Sequence, residues 1–73
     1  MSLSIGTKAT LSVLTYGAAS PLEVLAGLKH VPESEIPSDE MHCLKEICLA
    51  ALEDNKPRFD AAMAKLREIV ERE

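Results

Sequence analysis

The sequence predicts an all-α fold, a small bundle of three or four helices that ends in an αα-hairpin. Three observations carry that expectation. Ser20-Pro21-Leu22-Glu23 places a serine cap, a proline at the first helical position and a glutamate at the third, a set that satisfies the free amides of a helix start. Met41, Leu44, Ile47, Cys48, Ala51 and Leu52 recur at spacings of three and four, and so do Phe59, Ala62, Met63, Leu66, Ile69 and Val70. The chain is 47% hydrophobic but only 3% aromatic, so its core is built from Leu, Ile, Val, Ala and Met, a palette that favours helices.

Taken in order, residues 1 to 8 (MSLSIGTK) carry Gly6 and no periodicity, and read as a flexible N-terminal arm whose Leu3 and Ile5 are free to dock elsewhere. In residues 9 to 16, Leu11, Val13 and Thr15 alternate as in a strand, whereas Ala9, Val13 and Tyr16, or Leu11 and Leu14, fit one side of a short helix. No second strand is evident, so the segment is assigned to helix. The helix from Pro21 turns Leu22, Leu25, Ala26 and Leu28 one way and ends near His30, because Pro32 disfavours helix in the residue before it. Ser38 is expected to cap the next helix, with Asp39 and Glu40 in a first turn that welcomes negative charge. That helix stops near Asp54-Asn55, and Pro57 opens the last one. So short a connection makes the two antiparallel, with their stripes turned inward. Residues 9 to 73 thus form one helical domain, in a chain short enough to bury only about 60% of its unfolded surface.

Eight basic against twelve acidic residues leave a net charge of -4, which opposes contact with phosphate backbones and anionic lipid. The acidity is concentrated: residues 32 to 54 sum to -6 and each flank to +1. Cys43 and Cys48 stand five apart on one helix, with Cα atoms about 8 to 9 Å apart on different faces, beyond disulfide reach. They read as buried thiols of a reducing compartment, which points to the cytoplasm. Lys8 followed by ATLSVLTYGAAS has the outline of a signal peptide, but Thr10, Ser12 and Thr15 dilute its apolar run and a single basic residue precedes it. No stretch approaches the 18 or so apolar residues of a membrane span.

Candidate chemistry is sparse. His30, His42, Cys43 and Cys48 match no ligand spacing that converges on one point, so no metal is expected. No nucleophile stands with a base and an orienting group, so neither catalysis nor a cofactor is expected. Arg58, Lys65 and Arg72, spaced by seven, form a basic stripe down the last helix such as a DNA-recognition helix carries. Asp60, Glu68, Glu71 and Glu73 on that helix oppose it, so DNA regulation stands as the alternative reading. The segment HVPESEIPSDE, residues 30 to 40, is the remaining candidate. Its prolines and Ser38 punctuate helices, which leaves Glu33, Glu35 and Ile36 without such a duty. Ile36 either pins the loop to the core, the commoner fate of such a residue, or is offered to a partner.

The expected function is therefore non-enzymatic protein binding, with Leu3, Ile5, Glu33, Glu35 and Ile36 as the contact residues and the acidic middle suited to a basic patch. A homo-oligomeric helical module is the further alternative, since a core this small can leave an apolar face that only a second copy covers; monomer and homodimer both stay open.

Two resemblances accompany this reading. The segment from Leu49 to Ile69, with Leu49-Ala50, Phe59, Ala62 and Leu66, is similar to one tetratricopeptide hairpin; the glycine of the first helix and the following repeats are absent, which excludes an array. In length, acidity and lack of catalytic residues the whole chain resembles the small helical regulators that phages make to redirect host machinery, including those that bind host RNA polymerase. That resemblance implies an inhibitor or regulator of transcription with RNA polymerase as its partner. It assigns no residue a role.

Overall fold

The computed structural model describes residues 3–72, with Arg72 described by its backbone alone. Four helices occupy them: α1 (Ile5–Tyr16), α2 (Pro21–Leu28), α3 (Ser38–Leu52) and α4 (Lys56–Arg72). Among the described residues there is no strand, and the segment from 9 to 16 is helical, as the fold class requires. α3 is the central element. It packs most extensively on α4 to form the expected hairpin, then on α2 and α1, whereas α1 and α4 do not pack on each other. Its buried residues, Glu40, Cys43, Leu44, Ile47, Cys48 and Ala50, accordingly spread over an arc of roughly 160°. With Leu28, Ile36, Ala62 and Leu66 they make the core.

The caps explain where the helices begin and end. Ser20 Oγ accepts the Glu23 N–H, as the sequence implies. Ser38 does not cap α3. It is the first helical residue, Pro37 occupies the cap position without a side-chain bond, and Asp39 Oδ1 accepts the Glu40 N–H at 2.9 Å. Pro37 already holds the φ of -58° and ψ of 154° that the half-extended cap position needs, which moves the start by one residue. Asn55, beyond its duty as a helix stop, also starts α4, because its Oδ1 accepts the Arg58 N–H at 3.2 Å.

α1 and α3 end alike. Ala18 N–H donates to Val13 O, and Asn55 N–H to Ala50 O, the six-to-one bond of a Schellman motif. The left-handed position is Gly17 in the first (φ 68°) and Asp54 in the second (φ 54°). Asp54 bears a steric cost that Gly17 avoids. Replacing Asp54 with Gly is expected to stabilise the domain by ~0.5 kcal/mol, the relief of that cost less the greater freedom of glycine in the unfolded chain. The check is a higher midpoint in urea with an unchanged slope.

The expected stripes hold in large part: Leu25, Leu28, Met41, Leu44, Ile47, Cys48, Phe59, Ala62, Leu66 and Ile69 lie in or against the core. Leu22 (61% exposed), Ala26, Ala51, Leu52 and Met63 are open to solvent, and Val24 packs on the core instead. α4 packs on α3 alone, so Met63, at the edge of its stripe, stays open.

Candidate functional site

The residues that the sequence marks for contact converge on one corner. Ser4 caps α1, its Oγ accepting the Thr7 N–H at 3.3 Å, so the expected loose arm is in fact structured from Leu3 onward. In a capping box the third helical residue would reach back to the cap N–H, but that residue here is Thr7. Glu40, from the first turn of α3, does it instead. Its Oε1 accepts Ser4 N–H at 3.2 Å, Ser4 Oγ–H at 3.0 Å and Thr7 Oγ1–H at 2.7 Å. Glu40 is 6% exposed and Thr7 is 0% exposed, so this carboxylate is a buried bolt between two helices.

The same corner holds the acidic loop. A Cβ on Gly6 would lie 2.8 Å from Glu35 O and 2.6 Å from Ile36 Cγ1, so the loop rests directly on α1 where only glycine leaves room. Ile36 is 1% exposed and belongs to the core; it pins the loop and is not offered to a partner. Leu3 is half-buried against that core. Ile5, at 85% exposure, and the exposed Glu33 and Glu35 remain on the surface of that corner.

The basic stripe fares differently. Arg58 Nε donates to Glu46 Oε2 and Arg58 Nη1 to Glu53 Oε1, both at 2.8 Å, across the α3–α4 hairpin. Its hydrogen bond holds the Glu46 carboxyl below the ordinary carboxylate range, and the two acids in turn push the guanidinium pKa up. That commits Arg58 to the fold and takes it out of any row of free cations. Lys65 is exposed beside His42 and Cys43 in a furrow along the same two helices, and the side chain of Arg72 lies outside the described residues. Burial pushes the Cys43 thiol up, with Asp39 adding to the effect, and burial does the same to Cys48. Thiols held protonated in this way are weak nucleophiles and weak metal ligands.

An apolar groove lies between α1 and α4, and the sequence gives no direct sign of it. Because α1 and α4 both lean on α3 without meeting, a channel runs between them. One cavity of about 190 Å³ is lined by Leu11, Leu14, Ile47, Phe59 and Met63, and another of about 230 Å³ by Leu3, Leu11, Met63, Leu66 and Val70. Leu11 and Met63 line both. The α4 residues that line the two, from Phe59 to Val70, span about 16 Å, three helical turns. Arg67 stands at one end, and at the other Lys56 is shared with Asp60 in an exposed pair. The one advance signal was Met63, an unbranched apolar residue suited to adaptable surfaces, which the stripe pattern assigns to the core.

Among the described residues, no cluster of His, Cys, Asp and Glu could hold a metal ion, and no helix is long and apolar enough to cross a membrane. No family model, curated protein or solved structure matches the chain.

Proposed function

We propose that this protein is a non-enzymatic, protein-binding regulator that occupies a surface of a larger partner by taking an amphipathic helix of that partner into the α1–α4 groove. The groove is the observation that carries the reading: its two cavities are apolar and set along three turns of α4, the arrangement in which helices are bound through anchors at i, i+3, i+4 and i+7. Arg67 at its rim favours acidic residues flanking the bound apolar face. The buried, unpaired thiols suit a reducing compartment, so the cytoplasm is the proposed location. The resemblance to phage-made helical regulators makes RNA polymerase the partner to test first.

The test is affinity capture from the source cell with the wild-type chain and with Met63→Glu. Met63 is 36% exposed, so the substitution leaves the fold in place while putting a charge in the groove. A stoichiometric partner is expected with the wild type and about tenfold less of it with Met63→Glu. Recovery of polymerase subunits supports the transcriptional reading, whereas a different stoichiometric partner removes it. Absence of any stoichiometric partner sinks the proposal, and equal capture by the variant moves the contact away from the groove.

A further inference from the structure

The attachment of α1 differs in kind from that of the other helices. The buried apolar side chains that pack into one core come from α2, α3, α4 and the acidic loop, and among the described residues none comes from α1. Leu11 and Leu14 lean on that core from outside, half-buried, and Leu3 ahead of the helix does the same. The one fully buried side chain of α1 is Thr7, and it is polar.

What fastens α1 is therefore a set of hydrogen bonds. Ser4 N–H, Ser4 Oγ–H and Thr7 Oγ1–H all donate to Glu40 Oε1, and among the described residues these are the hydrogen bonds that join α1 and its cap to the rest. Water can replace each of them once the helix lifts, so they resist release by only a small part of their strength in a dry site. They are also confined to the first turn. At the last turn Thr15 and Tyr16 are exposed.

The chain after α1 supplies a pivot. The Gly17 and Ala18 N–H groups bond back to Leu14 O and Val13 O, so both travel with α1, whereas Ser20 caps α2 and stays with it. Ala19 lies between them, and no backbone bond among the described residues ties it to either helix. Rotation at Ala18 and Ala19 is enough to carry α1 away, since hinges are a few residues at element ends. Release changes the groove, because Leu11 and Leu14 form one wall and Ile47, Phe59 and Met63 the other. Without α1 the second wall is an open apolar face across α3 and α4.

We propose that α1 is a releasable latch: it undocks as a unit, turning about Ala18 and Ala19 while α2, α3 and α4 stay folded, and so opens the groove from the α1 side. Undocking is a property of the free chain, and it stands whether or not a partner helix enters the groove.

Native-state hydrogen exchange on the full chain, read by NMR, tests it. Minor states of this kind hold roughly 0.1 to 10% of molecules, so the amides of residues 9 to 16 are expected to be protected about 10- to 1000-fold. Those of Leu44, Ile47 and Cys48 are expected to be protected about tenfold more, or beyond, and to respond to urea with the full slope of global unfolding, while the α1 amides respond with a much shallower one. Equal protection and equal slope for the two sets overturns the proposal. Ala62→Gly gives an independent reading. Ala62 is 5% exposed and lines the furrow beside Cys43 on the α3–α4 hairpin. The undocked state keeps that packing and global unfolding loses it, so exchange at Leu44, Ile47 and Cys48 is expected to rise about fivefold and exchange in α1 not at all. An equal rise in α1 means that α1 opens only when the whole domain does, and overturns the latch. Glu40→Gln tests the fastening: a neutral acceptor makes weaker bonds, so α1 exchange is expected to rise about tenfold. Exchange at the wild-type rate overturns the part given to Glu40.

Discussion

Glu40→Ala is expected to lower the unfolding free energy by about 3 kcal/mol, a large share of the ~4 to 11 kcal/mol that a domain of this length commands. The size follows from what is left behind. Thr7 Oγ1–H, at 0% exposure, and the Ser4 N–H lose their acceptor, and a buried donor without a partner costs ~1 to 3 kcal/mol. The loss also strips the N-terminus of α1 of its negative charge. At roughly 4 to 8 °C per kcal/mol the midpoint should fall by some 15 °C, measured by circular dichroism. Thr7→Val alone should cost less, because Glu40 keeps its Ser4 donors, and the double variant should cost less than the sum of the two. Additive losses would falsify the bolt as a shared hydrogen-bonded unit. α1 has the weakest packing on the rest, so its amides should be the first to exchange in Glu40→Ala.

Gly6→Ala separates local propensity from tertiary packing by the sign of its effect. In an isolated helix the change gains ~1 kcal/mol. Here the new Cβ would meet Glu35 O at 2.8 Å, and a carbonyl in the backbone of a docked loop cannot swing aside as a side chain can. A net loss of ~2 kcal/mol is expected, with the loop lifted from α1 and Ile36 partly released from the core. Urea unfolding decides it: a gain in stability would show that the loop does not rest on α1.

Both variants act at the corner where sequence reading fared worst, and the cause is physical. α2, α3 and α4 were legible because their signals are local: a serine–proline–glutamate start, apolar residues every three or four positions, prolines at the breaks. Ser4 was not legible as a cap because the group that completes it, Glu40, lies 36 residues away in the chain. Ile36 between two acids offered two fates with one composition, and only the packing of the loop on Gly6 selects burial. Arg58 looked like one of three equivalent cations until the hairpin set Glu46 and Glu53 against it.

What the sequence determined by itself is the fold class and the approximate limits of three helices, since propensity, capping and periodicity act within a few residues of one another. Only the tertiary structure decided that α1 begins at Ile5, that the acidic loop is pinned through Ile36, and that α1 and α4 stand apart with an apolar groove between them. Those outcomes depend on which surfaces meet across the chain, and a pattern of spacings says which residues seek burial but not which neighbour will cover them.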